Sequence, residues 1–219
     1  MKVLILVNGE LYKPDVLKNR LQGENFNLII GVDGGTRHAN ILNIKVDTII
    51  GDLDSLSESE LQHFSNAELI SYPPEKNETD LELALYYAIK TGATHIILVG
   101  AIGGRMDMTF SNLLLLAVNS LNSCQIDVWH GEQTGWIIRP PGASVTGQSG
   151  DMISLIPLDD DVSGITTTGL KYPLKNERLP FGLARGISNL IEKPPASIKL
   201  SEGILFITHT PGDCQEGVR

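Results

Sequence analysis

Four aspartates in three short motifs carry the clearest chemical signal in the sequence. GDLDS at 51–55 sets Asp52 and Asp54 two residues apart, so in an extended segment both carboxylates point the same way, as an oxygen-ligand site for a hard cation requires. Asp33 precedes Gly34 and Gly35 in VDGG at 32–35, and Asp80 closes KNETD at 76–80. Brought together bare, these carboxylates would raise one another's pKa, and a divalent cation relieves that repulsion. A fourth motif, GAIGGRMD at 100–107, adds Gly100, Gly103 and Gly104, whose missing side chains let backbone N–H groups approach an anion, and the permanently charged Arg105. Lys76 and Arg105 are the local positive charge beside the acids. Neither the GxxxxGK[ST] loop nor the GxGxxG fingerprint is present. Taken singly, each motif has a plainer reading: Asp and Gly favour turns, and an Asp opening a helix suits the positive helix end.

What joins the motifs is where they fall. Apolar runs at 3–7, 28–32, 48–50 and 96–99, with a weaker one at 68–71, read as strands. Helical patterns alternate with them, which predicts an α/β fold with a mostly parallel sheet and flanking helices. All four motifs follow such runs, and strand carboxyl ends form the usual ligand crevice of an open α/β sheet. Ser57 with Glu60, and Thr79 with Glu82, have capping-box spacing. The second box starts a helix in which Leu81, Ala84, Leu85, Ala88 and Ile89 follow helical spacing up to Gly92. Another apolar helix is expected over 109–118, its N-terminus toward the glycine-rich turn.

The 219 residues, 42% hydrophobic, can bury the core of one large domain or two small ones. With 17 Lys and Arg against 26 Asp and Glu the net charge is −9, which disfavours nucleic acid and anionic membrane surfaces as partners. The opening apolar run meets Asn8, Gly9 and Glu10 at once with no cleavage site, and the run at 113–118 is far shorter than the roughly 20 residues a membrane span needs. A soluble cytoplasmic protein is expected. Cys124 and Cys214 form no CxxC pair and read as reduced thiols.

Beyond residue 122 helical periodicity fades, Gly and Pro become frequent, and β-branched runs appear at 125–129, 136–138 and 152–156. The expected organisation is an α/β domain over 1–122 and an all-β sandwich domain over 123–219. The runs at 198–200 and 204–208, joined across Ser201, Glu202 and Gly203, read as a closing hairpin, and the chain from Pro211 as a loose tail. Trp129 and Trp136 read as packing residues. His38, His63, His95, His130 and His209 show no zinc spacing, and Ser55 and Ser188 lack a nucleophile elbow.

In this order and at this spacing, DGG, GDLDS, KNETD and GAIGGRMD resemble the motifs of the thiamine pyrophosphokinase family. The resemblance continues through TTGLKYPL at 167–174 and GISN at 186–189, and covers residues 1 to about 208. It implies an N-terminal domain that binds ATP and Mg²⁺, and a C-terminal β-sandwich that binds thiamine and dimerises. The protein would then be a homodimer with active sites shared between subunits. The implied reaction is ATP plus thiamine giving AMP plus thiamine diphosphate. By matching motifs, Asp52, Asp54 and Asp80 would hold Mg²⁺, and Lys76, Thr79 and Arg105 would contact the ATP phosphates with Gly103 and Gly104 beside them. Asp33, Gly34 and Gly35 would line the nucleotide pocket. Asp107 would face thiamine, with Ser188 and Asn189 reaching it across the subunit interface, and Phe206 stands where some relatives stack a Trp on it. Asp54 and Asp80 both remain open as acceptor of the hydroxyl proton. Two positions depart from the family pattern, Met108 for the usual His and Asn77 for the common Asp. Two alternatives follow: a related Mg²⁺-dependent pyrophosphokinase or nucleotide hydrolase with another small substrate, and a non-catalytic thiamine or nucleotide sensor. The intact aspartate set argues against the sensor.

Overall fold

The apolar runs of the first half become parallel strands buried on both faces. In the computed structural model, which describes residues 1–52, 54–73 and 75–212, β1 (Lys2–Leu6) lies between β2 (Leu28–Val32) and β5 (His95–Val99), parallel to both. β3 (Thr48–Gly51) and β4 (Glu68–Ser71) extend the sheet beyond β2, and β6 (Gln125–His130) extends it beyond β5, all parallel. Continuous burial explains why these segments read as unbroken Val, Ile and Leu runs rather than as alternating ones. Leu4, Leu6, Ile49, Ile97 and Val99 share one cluster with Leu17 and Leu21 of α1 (Pro14–Gln22) and Ala39 and Leu42 of α2 (His38–Leu42). The alternate residues Val3, Ile5, Ile30, Ile50, Ile96 and Leu98, also buried, face the other way. α4 (Asp80–Lys90) packs against β2 and β3 and buries Leu81, Ala84, Leu85 and Ala88, the spacing expected of its apolar stripe.

Both expected helix starts form. Ser57 and Glu60 close a reciprocal capping box on α3 (Glu58–His63), and the Thr79 side chain accepts from the Glu82 N–H at the head of α4. α5 (Met106–Leu115) begins three residues earlier than its apolar run suggested, with Arg105 as N-cap.

The strand order β6-β5-β1-β2-β3-β4 reverses at β1: the chain moves outward from β1 through β4, then returns to β5 on the other side. A switch point therefore lies between β1 and β5, the position at which open α/β sheets bind ligands.

The chain divides into compact units Met1–Gly131 and Glu132–Arg219, nine residues later than the boundary at 122 read from the sequence. The difference is β6. Its β-branched run belongs to the parallel sheet, where Ile96 pairs with Ile126 and Val99 with Trp129. Trp129 is buried there, with the Arg20 guanidinium 3.9 Å from its ring centroid. Cys124, just before β6, is a buried free thiol that burial pushes up to about 11.

The second unit is an antiparallel sandwich. One sheet has β12 (Asn189–Leu190), β9 (Met152–Pro157), β14 (Leu205–Thr210) and β7 (Gln133–Ile138) in that order. The other has β11 (Glu177–Pro180), β10 (Asp161–Thr168), β13 (Ala196–Lys199) and β8 (Gly142–Val145). Ile153, Leu155, Val162, Ile165, Ile198 and Ile207 form its core. The expected closing hairpin is not formed: β13 pairs with β10 and β8, whereas β14 pairs with β7 and β9, so the connection between them changes sheets. The expected tail, with Cys214, lies outside the described residues from 213 onward. No helix of the described residues is long and apolar enough to cross a membrane.

Leu85 is fully buried on α4, so Leu85→Ala is expected to destabilise the first unit by about 2–5 kcal/mol, read from the urea midpoint.

Candidate functional site

Each polar motif is delivered by the end of a strand. Beyond β2 the chain turns sharply into a 3₁₀ turn, Asp33–Arg37, with Asp33 in the left-handed region at φ 46°. This conformation is unfavourable for a non-glycine residue and persists only where surrounding structure imposes it. Gly35 lies against the end of β1: a Cβ there would come within 2.5 Å of the Val7 carbonyl carbon and 2.6 Å of the Leu6 oxygen. Gly34 and Gly35 thus seat the turn and hold Asp33 in place, and neither lines the cavity that Asp33 faces.

β3 ends beside β2 and carries GDLDS. Carboxylate oxygens of Asp33, Asp52 and Asp54 all lie within 4.8 Å of one another. Ser55 Oγ donates to Asp33 Oδ1 at 2.6 Å, and the Asp54 N–H donates to Asp52 Oδ1 at 3.2 Å. The Asp54 pKa is raised, first by its hydrogen bond to and charge of Asp52, then by Asp33 and Asp80. Three crowded carboxylates and little else form a hard oxygen donor set, and a divalent cation fits it. Asp80, expected as a ligand with Asp52 and Asp54, lies outside this close trio and accepts from Lys76 Nζ at 2.6 Å.

Asp33, Asp52, Lys76, Thr79, Asp80, Gly103, Gly104 and Arg105 line a single cavity of about 470 Å³, within the range of small-molecule sites. Sequence reasoning missed Asn8, Gly9 and Asn112 on its wall and named Met108 only as a departure. The signal for Asn8 and Gly9 was available, since NGE follows β1 as the other motifs follow their strands. Gly9 is required there because a Cβ would lie 2.4 Å from the Gly100 oxygen, and the Gly9 N–H donates to that same carbonyl at 2.7 Å. His38 Nε2–H donates to the Gly9 carbonyl at 3.0 Å, and burial lowers the His38 pKa. Asn112 is buried on α5, donates to the Ala101 carbonyl at 2.9 Å, and leaves its Oδ1 without a hydrogen-bond partner among the described residues.

The glycine-rich turn is partly committed. The Gly103 N–H donates to Thr109 Oγ1 at 3.0 Å, while Gly104 stands in open space. Arg105 turns toward Asp107, with Nε at 3.1 Å and Nη2 at 2.5 Å from its carboxylate oxygens. The guanidinium holds the Asp107 carboxyl below the ordinary carboxylate range. Asp107 is exposed on the first turn of α5 and lies off the cavity wall.

The remaining expected residues are in the second unit. Ser188 has φ 58°, and its N–H donates to Ser154 Oγ at 3.1 Å. Asn189 is 6% exposed; its Oδ1 accepts from Tyr172 and Leu190 N–H at 3.0 and 2.9 Å, and its Nδ2 donates to the Tyr172 carbonyl at 2.7 Å. Asn189 also borders a cavity of about 330 Å³ with Tyr172, Arg185 and Ile187. Phe206 is 6% exposed, with its ring laid over Gly135 of β7.

The first unit is thus one of the doubly covered parallel sheets that bind small ligands at a switch point, here with a cation-type carboxylate set and basic residues on the cavity wall. Residues 21–128 match the family profile described as thiamin pyrophosphokinase, catalytic domain, and residues 141–205 match thiamin pyrophosphokinase, vitamin B1 binding domain. The chain is 32% identical over 216 residues to thiamine pyrophosphokinase of Bacillus subtilis, covering 94% of this chain and 98% of that one. It belongs to the thiamine pyrophosphokinase family, whose members are enzymes. The crystal structure of the Bacillus subtilis protein superposes with a TM-score of 0.84 at 27% identity, over 96% of this chain and 99% of that one. That of the Geobacillus thermodenitrificans thiamin pyrophosphokinase superposes with 0.82 at 28%, over 98% and 99%.

Because the trio repels itself, Asp54→Asn is expected to raise the melting temperature of the metal-free protein. Mg²⁺ at ten times its Kd should stabilise the wild type by about 1.4 kcal/mol and the variant by much less, which calorimetry with and without Mg²⁺ checks.

Proposed function

We propose that the protein transfers the pyrophosphoryl group of ATP to the hydroxyl of thiamine, giving thiamine diphosphate and AMP. The observation that carries this reading is the cavity at the strand ends, which gathers Asp33, Asp52, Lys76, Thr79, Asp80 and Arg105 in a chain of this family. The thiamine oxygen bonds to the β-phosphorus, the bond from that phosphorus to the oxygen bridging to the α-phosphorus breaks, and AMP leaves with that oxygen. Asp54 or Asp80 takes the hydroxyl proton. Asp52 and Asp54, with Asp33 or Asp80, would hold Mg²⁺, which would supply neutralisation of the charge on the transferring phosphates. Lys76 donates to Asp80, and the same ammonium on the cavity wall would meet an ATP phosphate. Catalysis then rests on positioning and charge neutralisation.

For thiamine, the Asp107 carboxylate suits the cationic thiazolium ring. Ser188 is exposed, the Asn189 amide is hydrogen-bonded to the Tyr172 backbone beside a cavity, and Phe206 is buried; thiamine contact is assigned to Ser188 and Asn189 on the family pattern. A cytoplasmic homodimer with shared active sites is part of the reading. Association is supported by apolar side chains left exposed at helical spacing on α5, Met106, Phe110 and Leu114, and by exposed Tyr172, Phe181, Leu183 and Ile187 in the second unit.

Purified protein with ATP, Mg²⁺ and thiamine is expected to form AMP and thiamine diphosphate together. Omitting thiamine or adding EDTA should stop both, and Asp52→Asn should lower the rate by about 100-fold or more. Release of ADP would contradict pyrophosphoryl transfer, and AMP formed equally fast without thiamine would assign a nucleotide hydrolase instead. Phe110→Glu is expected to convert the dimer to monomer, seen by light scattering; a wild type that is itself monomeric would remove the shared-site arrangement.

A further inference from the structure

Arg37 has no part in the roles assigned above, yet its guanidinium meets two elements beside the acidic trio. It closes the 3₁₀ turn that Asp33 opens. Nε donates to Glu60 Oε1 at 2.5 Å and Nη2 to Glu60 Oε2 at 3.2 Å, a two-pronged contact with the third residue of α3. Nη2 also donates to the Ser55 carbonyl. Ser55 is thereby held from both sides, because its hydroxyl donates to Asp33. Glu60 is itself anchored, accepting from the Ser57 N–H at 2.8 Å and the Ser57 hydroxyl at 2.7 Å. Gly34 makes room for this path, since a Cβ there would lie 2.9 Å from Arg37 Nη1.

The segment pinned at Ser55 carries Asp52 and Asp54, whose carboxylates, crowded with that of Asp33, repel one another. An exposed ion pair adds little to global stability, and Arg37 and Glu60 have side-chain exposures of 44% and 30%. The effect of this pair is therefore expected where it holds the chain rather than in the stability of the whole unit. We infer that Arg37 is a positioning residue that preforms the cation-binding loop, fastening the Ser55 carbonyl to α3 so that Asp33, Asp52 and Asp54 stand within reach of one ion before it arrives. The inference rests on the proposed cation role of that trio.

The test uses Mn²⁺ as probe, titrated with the full-length wild-type and variant proteins and followed by loss of the free-ion EPR signal. Arg37→Met keeps the length of the side chain and removes its donors; it is expected to weaken Mn²⁺ binding by about tenfold, as residues that orient metal ligands do, with little change in metal-free melting temperature. Glu60→Gln retains the capping box, since Gln serves at that position, and should weaken binding less, in the same direction. Arg37→Lys keeps one charge without the fork and should fall between wild type and Arg37→Met. In turnover, the Mg²⁺ concentration for half-maximal rate should shift by the same factor while kcat at saturating Mg²⁺ stays near wild type. A folded Arg37→Met protein that binds Mn²⁺ as the wild type does would overturn the inference. Should that variant not fold, unchanged Mn²⁺ binding by Glu60→Gln would overturn it equally. A wild type that binds no Mn²⁺ would remove the cation role of the trio as well, whereas binding that every variant retains would remove only the role of Arg37.

Discussion

Three carboxylates held within 4.8 Å of one another repel, and a free loop would not keep them there. The sheet does. β2 and β3 are parallel neighbours in register from Ile30 opposite Thr48 to Val32 opposite Ile50, so Asp33 and Asp52 leave the sheet side by side. The rigidity comes from strands whose side chains are buried above and below, a consequence of the Val, Ile and Leu content of each run. Polar contacts then trim the arrangement: the Ser55 hydroxyl on Asp33, the Asp54 N–H on Asp52, and the Lys76 ammonium on Asp80. Hydrophobic burial thus maintains a concentration of negative charge that local electrostatics alone would disperse.

Much of the fold was legible because parallel strands and capped helices write themselves locally. The runs at 28–32 and 68–71 coincide with β2 and β4, and the Ser57 and Thr79 caps form as their spacing implies. What could not be read was partnership. β6 has the same β-branched texture as the sandwich strands that follow it, and only its pairing with β5 assigns it to the first unit. β13 and β14 are separated by a stretch short enough for a hairpin, but the choice between pairing with each other and crossing to different sheets is made by long-range neighbours.

The site divides in the same way. Asp33, Asp52, Lys76, Thr79, Asp80, Gly103, Gly104 and Arg105 meet at one cavity because the rule that placed them, that ligands gather at strand carboxyl ends, is a property of topology. The division of labour among them is a property of contacts. Asp80 is drawn to Lys76, Gly34 and Gly35 serve chain packing, and Asn189 spends its amide on the backbone of Tyr172, none of which spacing reveals.

That last contact alters the character of the surface around it. The Lys171 N–H donates to the Leu190 carbonyl at 2.9 Å, Leu170 bridges Ile191, and Asn189 clasps Tyr172 through both its N–H and its carbonyl. The stretch from Tyr172 to Ile187 is therefore a fastened loop whose ends cannot drift apart. Immobilising a side chain at an interface costs about 0.5–1.5 kcal/mol, and here the backbone part of that ordering is completed when the sandwich folds. The fold therefore closes this loop at its base by itself, leaving Tyr172, Leu183 and Ile187 exposed on a stretch whose two ends are already joined.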